Sequence, residues 1–370
     1  MRRFLPSLGR RNEGPSGGAR RSRAWRTLAA LGLGLLTLAL PGCYVWRQGW
    51  GQAELLWRRE PVATLLARPE TPVEWRRKLQ FVAQVKQFAQ RELGLAGTHH
   101  FESFVALDRD AVTYVVSAAP KDSLDAYQWW FPVVGQVPYK GYFRKQDALD
   151  EQARMDGAGY DTSVRGVAAF SLLGWLPDPI YSPLLARDEP TLADIVIHET
   201  THATVYLAGR SSFNEGFATF VGNQGALAYF ASLGPGGREA WLAARAAQAD
   251  TRTFTAFVEE VSQRLEALYA SSIPRDEKLR QREAVFAWAQ ARFRQSYAVK
   301  MQGHGFRHVS AGRFNNAVLS AYRTYYRRLD RFERAHTRCG GDLRRTIAFF
   351  RDQVAQAPDP EGFLERWIAP

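Results

Sequence analysis

Cysteine is scarce in this chain of 370 residues, which contains only Cys43 and Cys339. Two cysteines cannot build a disulfide-rich scaffold or a structural zinc site made of cysteine ligands. The apolar N-terminal segment Thr27–Leu40 is also short, because it has 14 residues and a membrane-spanning helix needs about 20. With 46% hydrophobic residues, the composition is that of a globular protein and not of a disordered one.

Acidic residues are almost absent from residues 1–42, which carry eight arginines and a single acid, Glu13. This segment therefore holds +7 of the formal net charge of +12, and the rest of the chain holds +5. Near the C-terminus, the arginines of Arg323–Arg331 lie among acids such as Asp330 and Glu333, which is typical of a solvated helix face. The charge distribution argues against nucleic-acid binding, so we expect no nucleic-acid partner.

The arginine-rich start and the apolar run together indicate a secretory signal peptide. The run ends in Leu40-Pro41-Gly42-Cys43, which is similar to a bacterial lipobox, whose cysteine is lipidated and becomes the first mature residue. We therefore predict a lipoprotein-type signal peptide over residues 1–42 and a lipid anchor on Cys43, in the bacterial cell envelope and facing the periplasm. Tyr44 stands where inner-membrane retention signals have aspartate, which favours the outer membrane. An uncleaved N-terminal anchor is the alternative.

Residues 43–370 are predicted to form a single domain, because no repeat, low-complexity segment or strong linker interrupts them. Thr71–Glu74 has a capping-box pattern, which predicts a helix that begins there and ends at Gly94. β-Branched and aromatic residues predict a small sheet. Its strands lie within Ala111–Ala119, Trp129–Phe143 and Ser163–Leu173. From Leu192 onward the pattern is helical, so the predicted fold class is α+β, mainly α-helical, with a small mixed sheet.

The motif that carries chemistry is His198-Glu199-Thr200-Thr201-His202, which has the HExxH pattern. On a helix, side chains at positions i and i+4 project from one face, so His198 and His202 can bind one zinc ion together. Glu199 lies beside them and can act as the general base for a water on that zinc. The [ST]-x-x-[DE] pattern of Thr191–Asp194 predicts the start of this helix. The alternative is a pair of hydrogen-bonded core histidines without a metal.

A catalytic zinc ion usually takes a third protein ligand. Val205 and Ala208 occupy the positions where a metzincin has glycine and histidine, so that pattern is excluded. Glu215, thirteen residues after the motif, is the best candidate. Gly209 can end the first helix and Ser212 can begin the next. Two antiparallel helices would then bring Glu215 back to the histidines.

Two alternatives to this third ligand stay open. Ser212 and Glu215 have the spacing of a capping box, so Glu215 can instead cap its own helix. His304 and His308, in a glycine-rich segment, can also supply the missing ligand.

The motif and the segment Asn214–Ala218 resemble the proteobacterial family of zinc aminopeptidases with a lipoprotein-type N-terminus. Further segments resemble the same family, namely Phe131–Phe143, Ser171–Trp175, Asp178–Pro179 and Asn315–Ala317. The resemblance covers most of the mature chain and implies a zincin-like metallopeptidase of the glutamate-ligand class. It also implies that His198, His202 and Glu215 bind one Zn²⁺, and that Glu199 is the catalytic base.

One position departs from the best-known glutamate zincins. These often place an aspartate four residues after the ligand glutamate, where it orients a histidine, and here that residue is Thr219. Asp194, one turn before His198, is the candidate for this orienting role, and helix capping is its alternative. Asn214, next to Glu215, is a second candidate for a residue that supports the ligands.

The tetrahedral intermediate of peptide hydrolysis needs a hydrogen-bond donor besides zinc. The candidates are Tyr139, Tyr322, Tyr325, His304 and His308. Zincins commonly bind their substrate as an added strand at a sheet edge, and Val134–Phe143 or Ala168–Trp175 can provide that edge. The sequence points to no residue that binds the free amine of a substrate.

These observations predict a membrane-anchored, zinc-dependent peptidase of the aminopeptidase type, with one zinc ion per chain. Its partners are then a peptide substrate and the membrane that takes up the lipid anchor. The alternative is a non-catalytic, peptidase-like envelope lipoprotein that binds peptides or proteins. The intact Glu199 argues against this alternative, because a protein that only binds has no need of a base beside the metal.

Overall fold

The computed structural model describes residues 42–97, 99–131, 135–167, 177–303, 305–306, 309, 312 and 314–369. The chain divides into two compact units, residues 1–56 and 57–370. Helix α1 (Gly42–Trp57) accounts for the described part of the first unit. The apolar run Thr27–Leu40 lies outside the described residues, so the signal peptide stays a prediction. No helix in the described ranges is long and apolar enough to cross a membrane.

The second unit is mainly helical. Its first six helices are α2 (Val62–Ala67), α3 (Val73–Arg91), α4 (Lys145–Gly157), α5 (Ser182–Leu185), α6 (Glu189–His202) and α7 (Ser211–Ser232). The later helices are α8 (Arg238–Ala270), α9 (Arg275–Arg292), α10 (Asn316–Tyr326), α11 (Asp330–Arg338), α12 (Leu343–Phe349) and α13 (Pro360–Ile368). Short 3₁₀ or π turns occupy Gly234–Gly237, Phe293–Tyr297, Ala298–Lys300 and Phe350–Val354.

The strands form small sheets in the first half of the unit. They are β1 (Glu60–Pro61), β2 (Ser103–Val105), β3 (Thr113–Ala119), β4 (Trp129–Phe131), β5 (Gly135–Val137), β6 (Lys140–Tyr142), β7 (Asp161–Val167) and β8 (Ile180–Tyr181). One antiparallel sheet has the order β6-β3-β7, with Val115 of β3 between Gly141 and Arg165. A second sheet has the order β1-β2-β8, in which β2 and β8 are parallel, and β4 pairs with β5. A mainly helical α+β protein with small sheets is therefore confirmed.

The predicted strands agree with the structure except at their ends. β3 lies within Ala111–Ala119, and the segment Trp129–Phe143 contains three short strands that turns separate. β7 begins at Asp161, two residues before the predicted start, because its first residues complete the pairing with Ala118 and Ala119. Residues 168–176 lie outside the described residues, so the predicted end of this strand stays a prediction.

The predicted capping box at the start of α3 is wrong. The Thr71 hydroxyl donates to the carbonyl oxygen of Leu65 at 2.7 Å instead of capping the helix. The helix begins at Val73 without a side-chain cap and ends at Arg91. It does not reach Gly94, which has a φ of +71°, a conformation that ends helices and favours glycine.

The core of the unit lies where α3 and α6 pack against α7. Buried side chains there include Val82 of α3, Ile197 of α6, and Phe217 and Val221 of α7. A second cluster joins α8, α9 and α10, with Phe254 among its buried members. Helices α3, α8 and α10 all pack against α6 or α7, so these two helices have other helices on several sides.

Two glycines of α7 allow it to approach α6 closely. A Cβ atom added at Gly222 would lie 2.9 Å from the carbonyl oxygen of Asp194, and one at Gly225 would lie 2.8 Å from Cγ2 of Ile197. Both distances are shorter than an ordinary van der Waals contact, so larger residues do not fit. Asp194 and Ile197 meet Gly222 and Gly225 of α7, while His198 meets Glu215 near the start of the same helix.

Candidate metal centre

Helix α6 carries the HExxH residues, and its start differs from the predicted one. The Asp188 carboxylate accepts a hydrogen bond from the Thr191 amide at 2.9 Å, and Pro190 lies in the first turn. Asp188 therefore caps the helix, where Thr191 was predicted to do so. The [ST]-x-x-[DE] pattern failed because an acid three residues earlier competes for the same free amides.

The predicted end of α6 at Gly209 is also wrong. The helix ends at His202, and a loop of eight residues leads to Ser211, where α7 begins. Asn214 holds this loop, because its Oδ1 accepts from the Leu207 amide and its Nδ2 donates to the Leu207 carbonyl oxygen, both at 2.8 Å. Gly209 has a φ of +73° within the loop. Val205 lies past the end of α6 and is buried.

Glu215 does not cap α7. The helix begins at Ser211 after Arg210, and no side chain caps it. The Glu215 carboxylate instead turns towards α6, where its Oε2 lies 3.3 Å from Nε2 of His198 and 3.5 Å from Nε2 of His202. The capping-box alternative for Ser212 and Glu215 is therefore wrong.

The three side chains form a compact group. The two histidine Nε2 atoms are 3.1 Å apart, and all the ligand atoms of His198, His202 and Glu215 lie within 4.8 Å of one another. A tetrahedral ion with bonds of about 2.0–2.1 Å holds its ligand atoms about 3.3–3.4 Å apart. The distances across the group match this spacing, so the residues that are present fit a zinc ion.

The group is strongly polarised. Burial alone would lower the pKa of His198, but the hydrogen bond to Glu215 and the charges of Glu199, Glu215 and Asp194 raise it to about 9. Burial likewise opposes ionisation of Glu215, yet the two histidines hold the pKa of this carboxyl far below its ordinary value. A zinc ion would displace the proton that this raised pKa keeps on His198, and two neutral imidazoles with one carboxylate are a donor set that zinc prefers.

Glu199 differs from Glu215 in its charge environment. Burial raises the pKa of Glu199, and the negative charges of Glu215 and Asp178 raise it further, against the opposing effect of His198 and His202. A carboxylate with a raised pKa is a stronger base than one in water. Glu199 thus has the properties of a general base.

Asp194 and Asn214, the two residues predicted to support the ligands, form hydrogen bonds with a neighbouring helix and with the loop backbone, respectively. Asp194 accepts a hydrogen bond from Nδ2 of Asn223 at 3.0 Å, which ties α6 to α7. Burial raises the pKa of Asp194 to about 6, while the nearby His198 lowers it. Among the described residues, Asn214 bonds to Leu207 of the loop, and it bears on its neighbour Glu215 through that loop.

The structure separates the candidate oxyanion donors. Tyr139 and Tyr325 lie near the group: burial raises their pKa values, and the charges of Glu215 and Glu199 add to this effect. Tyr322 packs its ring against Phe254, with centroids 4.9 Å apart, in the second hydrophobic cluster.

The other candidates for donor and substrate strand are only partly described. His304, His308 and Ala168–Trp175 lie outside the described residues. The described part of Val134–Phe143 contains β6, which lies at an edge of its sheet. The roles of Val134–Phe143 and Ala168–Trp175 as substrate-binding strands therefore stay predictions.

Two residues near the group were missed by the sequence analysis. Arg165 of β7 donates from Nη2 to the Tyr325 hydroxyl at 3.2 Å. The sequence around Arg165 has no pattern that indicates this contact. Asp178 lies close enough to Glu199 to raise its pKa, and its Oδ2 is 3.0 Å from Nδ1 of His100. The sequence drew attention to Asp178 only as part of a resemblance.

Fold and site together define a mainly helical α+β protein with a His–His–Glu group that can hold a metal ion. A family model described as Putative aminopeptidase matches residues 43–361, and the chain belongs to this family. The match includes every residue of the group. No curated protein and no solved structure gives a significant match to the chain. The family name indicates a peptidase of the aminopeptidase type.

Proposed function

We propose that this protein is a zinc-dependent aminopeptidase with a zincin-like active site. His198, His202 and Glu215 bind the metal, and Glu199 is the general base. The observation that carries the proposal is the set of distances of 3.1–3.5 Å among the three ligand atoms, which matches tetrahedral zinc. The family match supports the peptidase activity.

Each residue has a distinct task in this proposal. A bound zinc ion supplies Lewis acidity and lowers the pKa of a water molecule. Glu199 takes the proton of the attacking water and delivers it to the leaving amine, for which its raised pKa is suited. Glu215 stays ionised, because the histidines hold its pKa low. It therefore keeps a full negative charge towards the metal.

The test combines metal analysis with a mixed peptide library. We expect one zinc per chain, hydrolysis that a chelator abolishes and added zinc restores, and release of single residues from the N-terminus by mass spectrometry. Glu199→Gln should keep the zinc and lower turnover by about 10²–10⁴-fold. Glu239→Gln, at an exposed position of α8, is the matched control. Equal turnover in the Glu199 variant contradicts the mechanism, and a metal-free protein that binds peptides without cutting them supports the non-catalytic alternative.

We also propose that the protein is a lipoprotein anchored through Cys43 in the cell envelope. The basic segment, the apolar run and the Leu40–Cys43 sequence support this. Growth with a clickable fatty acid should label the protein, and Cys43→Ser should abolish the label and release the protein from the membrane fraction. Cys339→Ser is the control. Labelling that persists in the Cys43 variant contradicts the anchor.

A further inference from the structure

Arg165 is a positively charged side chain close enough to Glu215 of the metal-binding group for the two charges to interact. It lies on β7 opposite Val115 of β3. Its guanidinium donates to the Tyr325 hydroxyl at 3.2 Å and lies 5.4 Å from the centre of the Tyr325 ring. In the part of the chain that the structure describes, no carboxylate forms an ion pair with it. The side chain keeps solvent-accessible surface although protein surrounds it.

A small cavity opens beside this guanidinium. The polar residues that line it are Ser117, Tyr139, Arg165, Ser320, Thr324 and Tyr325, and no acid is among its described lining residues. The free space is about 10 Å³, which is about what one water-sized group requires. Hydroxyls and a guanidinium around so small a space suit the oxygen of an anion and not a bulky side chain.

One helix connects this cavity with the metal centre. α10, which carries Tyr325, packs against α7, which carries Glu215, and against β3 and β7. Tyr325 and then Glu215 raise the pKa of Arg165, while burial and the charges of Tyr325, Glu215 and Glu199 raise that of Tyr139. The cavity therefore lies within the electrostatic reach of the metal ligand and of the proposed base.

We propose that Arg165, together with Tyr325, binds the C-terminal carboxylate of the peptide substrate, so that the site selects short peptides in which this carboxylate closely follows the scissile bond. The inference rests on the proposed peptidase function and names its substrate class. A guanidinium presents two parallel donors to a carboxylate, and such charge-assisted bonds are about twice as strong as neutral ones. A cation that is held by a tyrosine and lacks an acidic partner is already oriented for this contact.

A carboxylate that binds Arg165 can belong to the C-terminus of a peptide or to an acidic side chain. We therefore use three probes: alanyl-alanine, its C-terminal amide, and alanyl-aspartic acid amidated at the C-terminus. Binding is measured by calorimetry with zinc-loaded Glu199→Gln protein, so that no turnover is needed. We expect alanyl-alanine to bind about 10–100-fold more tightly than either amidated peptide. Equal binding of the amide, or equally tight binding of the aspartyl peptide, overturns the proposal.

Variants of Arg165 test whether this residue causes the preference for the free carboxylate. Arg165→Gln in the Glu199→Gln background should remove the preference for the free carboxylate, whereas Arg144→Gln, at an exposed position next to β6, should keep it. Arg165→Lys should restore part of the preference, because lysine keeps the charge but not the paired donors. Thermal unfolding of each variant shows whether it is folded. A preference that survives in folded Arg165→Gln protein overturns the proposal.

Kinetics with Glu199 intact separate this inference from the proposed function. Arg165→Gln should raise KM for alanyl-alanine about 10–100-fold with little change in kcat. An equal loss of kcat for the free and the amidated dipeptide would assign Arg165 to the transition state and overturn substrate selection. Wild-type protein that hydrolyses both dipeptides equally well contradicts this inference alone. Wild-type protein that binds no zinc and cuts no peptide contradicts the proposed function.

Discussion

His198 and Glu215 face each other from α6 and α7, with Nε2 and Oε2 3.3 Å apart. The contact joins two helices that a loop separates, so it depends on how closely the helices pack. Asn214 closes the loop, and Gly222 and Gly225 allow the close approach. The geometry of the candidate metal centre is therefore a property of the helix pair as well as of His198, His202 and Glu215 themselves.

Removing the carboxylate of Glu215 should remove the metal. Glu215→Ala leaves two histidines, so zinc affinity should fall by more than the roughly 10–100-fold that loss of a supporting residue costs. Zinc per chain after dialysis against a weak chelator is the measurement, and Glu239→Ala is the control. One zinc per chain in Glu215→Ala protein would show that another residue, such as His304 or His308, is the third ligand.

A side chain at Gly222 should push α6 and α7 apart. In Gly222→Ala the new Cβ meets the Asp194 carbonyl oxygen at 2.9 Å, and overpacking of this kind costs about 1–3 kcal/mol. Urea unfolding should show that loss, and zinc affinity should fall with it. Gly236→Ala is the control, since a Cβ there meets nothing within 4 Å. Unchanged stability and zinc affinity in Gly222→Ala would contradict the role of the close approach.

A buried ion pair ties β7 to the helices behind it. Arg282 donates to the two carboxylate oxygens of Asp161 at 2.8 and 3.0 Å, and the Asn316 amide donates to the same carboxylate. Asp161→Asn removes the buried charge partner of Arg282 and, among the described residues, leaves only the exposed Glu283 as an acid beside its guanidinium, so the free energy of unfolding should fall by about 3–5 kcal/mol. Chemical denaturation measures this loss.

The control for that pair is the exposed one between Arg275 and Asp122. Asp122→Asn should change the free energy of unfolding by about 0–1 kcal/mol, because solvent screens the pair. A loss of similar size in both variants would mean that burial does not decide the effect.

Glu151 should make the stability depend on pH in the acidic range. Burial opposes its ionisation, but Arg154, Lys140 and Trp129 lower its pKa from 4.5 to about 2. The folded pKa lies below the unfolded value, so the stabilisation is fully present above about pH 4.5 and disappears as the pH falls towards 2. Its size is about 1–2 kcal/mol, less than the full shift would give, because Arg154 is more than half exposed.

Comparison with Glu151→Gln isolates this contribution. The difference in the free energy of unfolding between the wild type and the variant should shrink as the pH falls from 5 to 2. Glu239→Gln, at an exposed position of α8, is the matched control. A constant difference across this range would show that the carboxylate is not stabilised by its neighbours.

The comparison of sequence and structure is clearest at the helix ends. The residues Thr71–Glu74, Thr191–Asp194 and Ser212–Glu215 all have capping patterns, and none of them caps in the predicted way. A capping pattern names a residue that can bond free amides, but neighbouring side chains and the packed chain compete for the same groups. At α6 the competitor is Asp188, three residues before the predicted cap.

The HExxH sequence by itself determined that His198, Glu199 and His202 lie together, because a spacing of four residues on one helix brings side chains to one face. Only the tertiary structure decided that Glu215 completes the group and that Arg165, Tyr139 and Tyr325 lie near it. Those contacts depend on how closely α7 packs on α6 and how α10 meets the sheet. Contacts between residues far apart in the sequence depend on how many side chains pack together. A local sequence pattern does not carry that information.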